Sequence, residues 1–292
     1  MKFGVALPNF GKYASCESIL RVAREAERLG YDSVWVSDHI TVPIYHGGFG
    51  QVFYEPLTTL AYVAASTERV LLGTSAIVLP YRNPVVTAKA LSTLDVLSGG
   101  RLIVGVAAGW IEAEFVALGV PFTDRGALTD EGIEVLRAVF ESSVPTFYGR
   151  RYRLEDMVFL PLPVQKPRPP IIVAGVSPAA ISRAARLGDG WHPVGLTPEE
   201  LGQKVQLLYE ELAKRGRGQD GFGVYMRKNL QIGAVEEKES EPLRGSLDKV
   251  REGIERYLEA GTTHLVFQVL SGTFEGVLDT MRLFMEEIKP RL

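Results

Sequence analysis

The chain has 292 residues, 46% of them hydrophobic and 23% charged, and its 32 Lys and Arg against 35 Asp and Glu leave a formal charge of −3. That balance excludes the generally basic surface of a nucleic-acid or anionic-membrane protein. The lone cysteine, Cys16, excludes an intramolecular disulfide and any Cys-based zinc or iron–sulfur centre within the chain.

Taken in chain order, short apolar runs alternate with amphipathic helices. Residues 3–7 read as a strand ending at Pro8 and Asn9. Residues 16–29 read as a helix with Ile19, Ala23, Ala26 and Leu29 on one face, Ser15 as cap and Gly30 at its end. A strand over 33–37 follows, then a loop with Gly47, Gly48 and Gly50, a helix over 56–66 and a strand over 70–75. Asn83 and Pro84 start the next helix as cap and first residue, Gly99 and Gly100 end it, and 102–107 is a strand. A helix over 129–140 leads into 142–170, where five prolines between 161 and 170 forbid a helix. This stretch reads as an insertion running over the surface. Beyond it come a strand at 171–174, a helix capped at Ser177 and ending near Gly188, and a short strand at 190–194. Thr197, Pro198 and Glu200 form a capping box before a helix through Leu201, Val205, Leu208 and Leu212. A strand region spans 222–235, as one element or two, then a charged turn at 236–241, a helix over 250–258, a strand over 263–268 and a closing helix over 277–288.

This amounts to eight strands, each followed by a helical segment, which implies parallel βαβ units. The expected fold is α/β, a (β/α)8 TIM barrel formed by residues 1–292 as a single domain, with an open doubly wound sheet as the rival. No apolar stretch approaches the ~20 residues of a membrane span, and the first apolar run is too short for a signal peptide and lacks a cleavage signature. The expectation is a soluble, cytoplasmic protein.

In a barrel, chemistry sits at the C-terminal ends of the strands, which narrows the candidates. The GRGQDG string at 216–221 matches GxGxxG but follows a helix and precedes a strand, the reverse of a dinucleotide-binding context, and reads as a surface turn. There is no GxxxxGK[ST], HExxH or GxSxG, and His39, His46, His192 and His264 include no His-x-His pair, so no metal is assigned. What remains is Asp38-His39 after the second strand, the small-residue run GVAAGW at 105–110, and Gly175-Val176-Ser177 before a helix. A histidine of ordinary basicity can give or take a proton near neutral pH. Small residues let a planar ligand approach the backbone, and Trp110 can wall a pocket or stack on a ring. A helix N-terminus favours phosphate. Together they suit a phosphorylated, ring-bearing cofactor.

GVALP at 4–8, AERLGYDSVWVSDH at 26–39, RVLLGTS at 69–75, Asn83-Pro84, LDVLSGGR at 94–101, GVAAGW at 105–110, PRPPIIVAG at 167–175 and ARLGDGW at 185–191 occur in this order. Their order and spacing resemble the bacterial luciferase-like oxidoreductases, over residues 3 to about 270, and in particular their coenzyme F420-dependent (deazaflavin) branch. The resemblance implies a (β/α)8 barrel and a homodimer. It implies cofactor contacts at Asp38, Ser75, Ala76, Gly109, Gly175, Val176 and Ser177, a non-prolyl cis peptide at Ser75–Ala76, and an active-site histidine at His39, as proton donor or orienting group. Sugar-phosphate dehydrogenases of the family carry a glutamate where this chain has Trp110, which disfavours a sugar phosphate and favours an apolar or aromatic substrate. Trp110 and His46 are assigned to the substrate pocket, with the aromatic loop 41–54 as its lid.

The expected function is therefore F420-dependent hydride transfer to or from a small organic substrate. The alternatives are an FMN-dependent monooxygenase using reduced flavin and oxygen, and a non-catalytic flavin- or F420-binding protein. A flavin or F420 reductase is the protein partner considered, for the supply of reduced cofactor.

Overall fold

Strands and helices alternate from the first residues onward in the computed structural model, which describes residues 1–45, 52–236 and 238–292. The elements are β1 (Lys2–Ala6), α1 (Cys16–Leu29), β2 (Ser33–Val36), α2 (Pro56–Ala64), β3 (Leu71–Thr74), β4 (Ile77–Val78), α3 (Pro84–Leu97) and β5 (Leu102–Ala107). They continue with α4 (Glu112–Ala117), α5 (Arg125–Glu141), β6 (Phe147–Tyr148), β7 (Arg153–Leu154), β8 (Ile171–Ala174), α6 (Pro178–Leu187) and β9 (Gly190–His192). The last are α7 (Pro198–Ala213), β10 (Gly223–Ile232), β11 (Arg244–Gly245), α8 (Leu247–Glu259), β12 (His264–Val269) and α9 (Phe274–Leu283).

The strands pair in the order β11–β10–β12–β1–β2–β3–β5–β8–β9, and β9 also pairs with β10. Setting aside the two-residue β4 and β11, eight strands form a closed cycle of pairings. Consecutive parallel strands joined by helices are the topology of a (β/α)8 barrel. The region 222–235 holds one strand, β10, ending at Ile232, and β6 and β7 form a separate antiparallel hairpin inside the expected insertion.

The chain divides into two units, one of Met1–Leu7, Cys16–Trp35 and Val173–Leu292, the other of Pro8–Ser15 and Val36–Ile172. In the first, β1 lies between β12 and β2, with Val5 opposite Phe267 and Val34. Phe284 centres its aromatic core, 5.0 Å from Phe3, 4.7 Å from Phe267 and 5.9 Å from Tyr31. Gly4 is dictated by packing, because a Cβ there would overlap the Ser33 hydroxyl and the Trp35 indole. The helices start where local chemistry predicts. Ser177 caps α6, the Thr197–Glu200 capping box is closed in both directions at α7, and Ser246 caps α8.

In the second unit β5 pairs with β3 (Leu72 with Leu102) and with β4 (Val78 with Ala107). The Thr74 hydroxyl donates to the Gly105 carbonyl at 2.7 Å and accepts from its amide at 2.8 Å. Two buried polar side chains serve structure. Arg101 donates to the carbonyls of Ala64, Thr67 and Val70, at and after the end of α2, and of Ser98, at the end of α3. Asp95, on α3, accepts from the amides of Val164 and Gln165 and from Gln165 Nε2, pinning the proline-rich excursion onto the helix.

Candidate active site

The residues singled out after β2 lie in the second unit, and two of them head separate polar networks. Asp38 is buried, and Arg82 grips it in fork geometry, Nη1 to Oδ2 at 2.6 Å and Nη2 to Oδ1 at 2.9 Å. The Val78 amide donates to Oδ2 as well, at 2.9 Å, tying the end of β2 to β4. Arg82 also reaches Glu55 Oε1 at 3.1 Å, while Oε2 of Glu55 accepts from Thr58 N and caps α2. Burial raises the Asp38 pKa above its ordinary value, and the Arg82 guanidinium and the Val78 amide offset only part of that rise. With three donors on two oxygens it is read as an ion pair. Asp38, expected at the cofactor, thus has both oxygens engaged by the protein.

His39 heads the second network. Its Nδ1 is 2.7 Å from Glu114 Oε2, on α4. The Tyr81 hydroxyl donates to the same oxygen at 2.9 Å, and the amides of Ile40 and Thr41 donate to Oε1 at 3.0 and 3.3 Å. Glu114 is fully buried. Burial works against its carboxylate, but the donors from His39, Tyr81 and Ile40 more than offset it and hold its pKa below the usual value. Sequence reasoning did not single out Glu114, Tyr81 or Arg82. For Glu114 a signal was present. Ile111, Glu114 and Phe115 fall on one side of a helical turn, so a carboxylate accompanies two apolar residues facing inward.

Beside His39 the surroundings are aromatic. Phe53 meets its ring edge-on at 5.0 Å, Trp110 at 6.3 Å, and Phe53 in turn stacks on Phe10 at 5.2 Å. Trp110 is 56% exposed. Backbone pairing of Asn9 with Tyr54 and Gly11 with Val52 fixes this strip. His46 and residues 47–51 of the expected lid lie outside the described residues.

Ser75, Ala76, Ala107, Ala108 and Gly109 are half-buried small residues, while the bulky neighbours Ile77, Val78 and Val106 are buried. β4 pairs with β5, Ile77 opposite Val106 and Val78 opposite Ala107, so these small residues lie beside one ladder. The Ser75–Ala76 peptide is cis. Gly109 has φ +81°, and a Cβ there would come within 2.7 Å of Val78 and 2.9 Å of Phe115, so glycine is required on both counts.

Gly175, Val176 and Ser177 belong to the first unit. Gly175 has φ +124°, and a Cβ would lie 2.9 Å from that of Ala180. Ser177 caps α6 through Ala180 N, and Lys204 Nζ donates to the Val176 carbonyl at 3.1 Å. The same unit buries His192 and His264 around Trp35, whose ring lies 5.5 and 5.7 Å from theirs. Trp35 Nε1 donates to Ser33 Oγ, which lies 2.7 Å from His264 Nε2, and His192 Nδ1 bonds the Tyr225 carbonyl. Burial lowers the pKa of His192 to about 4 and of His264 to about 3. Among the described residues no three metal-ligating side chains gather, and no helix is long and apolar enough to cross a membrane.

The family model of luciferase-like monooxygenases matches residues 1–264, and the chain belongs to this oxidoreductase family. An F420-dependent glucose-6-phosphate dehydrogenase of Microbacterium testaceum is 29% identical, the alignment covering 97% of each chain. An FMNH2-dependent dimethylsulfone monooxygenase of Pseudomonas putida is 30% identical over 67% of this chain and 53% of its own. Among solved structures, the monooxygenase RslO1 of Streptomyces bottropensis superposes with a TM-score of 0.87 at 27% identity, over 100% of this chain and 99% of its own.

Proposed function

We propose that this protein is an F420-dependent oxidoreductase that moves a hydride between the deazaflavin and a small apolar or aromatic organic substrate. The observation that carries this reading is the run of half-buried small residues Ser75, Ala76, Ala107, Ala108 and Gly109 beside the β4–β5 ladder, in the unit where a buried carboxylate anchors His39. These residues suit a planar ring, because their own side chains are no larger than a methyl or hydroxymethyl and let it approach the backbone. Bound there, the cofactor would supply two-electron hydride chemistry, and the protein supplies geometry and a proton.

Ser75, Ala76 and Gly109 are assigned to the ring side of the cofactor. Asp38 acts there by fixing the strand end through Arg82 and Val78. In the other unit, the Gly175-Val176-Ser177 turn opens α6, and the positive end of that helix favours a phosphate. His39 is the residue that gives or takes the proton, through its Nε2. Trp110, Phe53 and Phe10 make the surroundings of His39 aromatic, which supports an apolar or aromatic substrate over a sugar phosphate.

A second reading, an FMN-dependent monooxygenase, is favoured by the end-to-end likeness to the monooxygenase RslO1 and by the similarity to the FMNH2-dependent dimethylsulfone monooxygenase. Equilibrium dialysis against F420 and against FMN separates the two. Retention of F420 with substrate-dependent change in its redox state supports the first. Retention of FMN with substrate-dependent oxygen uptake transfers the assignment to the second, and retention of neither removes both.

A further inference from the structure

We propose that Glu114 is a positioning residue that fixes the tautomer of His39, holding the ring proton on Nδ1 so that Nε2 stands as a proton acceptor. The inference deepens the reading of His39 given above and rests on it for its catalytic meaning, but not for its geometry.

The argument starts from donors and acceptors. An ionised carboxylate only accepts hydrogen bonds. Three donors and one ring nitrogen surround Glu114: the Ile40 and Thr41 amides donate to Oε1, the Tyr81 hydroxyl donates to Oε2, and His39 Nδ1 lies 2.7 Å from Oε2. The amides cannot reverse their roles. Tyr81 is held protonated, its pKa raised far above the usual value by burial and by the neighbouring carboxylate, so it remains a donor. With no proton on Glu114 to share, Nδ1 of His39 must carry one, and in neutral imidazole Nε2 then carries no proton. When Nε2 takes a proton, the carboxylate 2.7 Å from Nδ1 stabilises the resulting cation. The amide bonds add a second constraint. Ile40 and Thr41 follow His39 directly, so the same carboxylate fixes both the ring and the backbone that carries it.

Substituting Glu114→Gln tests this with little change of volume. The amide oxygen keeps the Ile40 and Thr41 bonds, which turns the amide NH2 toward His39. Nδ1 must then accept, and the ring proton moves to Nε2. In 15N-histidine-labelled protein, with the His39 signals assigned by their loss in His39→Gln, the wild type is expected to carry its neutral-ring proton on Nδ1 and Glu114→Gln to carry it on Nε2. Turnover of Glu114→Gln then falls by on the order of 10²–10⁴-fold, the range for loss of a correctly disposed proton-transfer group, with cofactor affinity unchanged. A wild-type proton on Nε2, or a tautomer indifferent to Glu114→Gln, overturns the proposal. Should Glu114→Gln not fold, Tyr81→Phe serves: it leaves the carboxylate in place and must leave the proton on Nδ1, and a flipped tautomer there also overturns it. Failure of the functional reading is seen separately, as failure to retain either cofactor in dialysis, and leaves the tautomer result standing.

Discussion

Arg82 holds both carboxylate oxygens of Asp38 in a fork while its remaining reach goes to Glu55, so one guanidinium joins the end of β2 to the start of α2. Asp38 has no exposed side-chain surface and Arg82 has little, 17%. Removing one partner of a buried pair leaves the other desolvated and unpaired, at a cost of about 3–5 kcal/mol. Arg82→Met is therefore expected to lower the urea midpoint substantially. Arg82→Met with Asp38→Asn is expected to recover part of the loss, and a double-mutant cycle measures the coupling.

Gly105 faces Thr74 across β3 and β5, and a Cβ there would overlap the Thr74 carbonyl oxygen. The obstacle is backbone inside a sheet, which cannot move aside as a flexible side chain can. Gly105→Ala is expected to be among the most damaging single-methyl changes in the chain, at more than about 3 kcal/mol, whereas Gly119→Ala, with open space around it, costs only the strain of its positive φ. Thermal melting of the two variants side by side checks the order.

His192 and His264 are neutral in the fold, with pKa values lowered by burial to about 4 and about 3, against ~6.5 in the unfolded chain. Below pH ~6.5 the unfolded state therefore binds more protons than the folded one. Their contribution to stability is complete above that pH and declines as pH falls toward 4 and 3, by up to about 1.4 kcal/mol per pH unit for each group. Denaturant midpoints measured from pH 7 to pH 4 should fall, and the slope should be shallower in His264→Gln, which cannot protonate.

His39→Gln is expected to reduce turnover by on the order of 10²–10⁴-fold while leaving the dialysis constant for the cofactor little changed. An equal loss in both would mean that His39 holds the cofactor and has no part in proton transfer.

Much of the architecture was legible because local chemistry decides it. The 14 residues of α1 have the bounds their periodicity predicts, and α6 and α7 begin directly after Ser177 and Thr197, whose side chains cap the first turn. The elements that escaped notice are those without a local signature. Six-residue α4 begins after Ile111, which cannot cap it, and β4 is a strand only because β5 lies beside it. The site divides in the same way. His39 was legible as a candidate, since a titratable residue at a strand end declares itself by position. Its partner could not, since Glu114 lies 75 residues further along the chain and only the tertiary fold brings it to the imidazole. The Asp38–Arg82 pair, 44 residues apart, was hidden for the same reason. Trp110 was legible as an aromatic at the end of β5, but its edge-on approach to His39 was not.

The three tryptophans also differ in a way that can be exploited optically. Trp35 and Trp191 are sealed from solvent, whereas Trp110 is more than half open and lies beside the imidazole of His39. Iodide or acrylamide in solution should therefore extinguish emission from Trp110 while sparing the other two. A molecule settling against His39 should shield that one indole, giving the native chain an intrinsic reporter of occupancy without an attached dye.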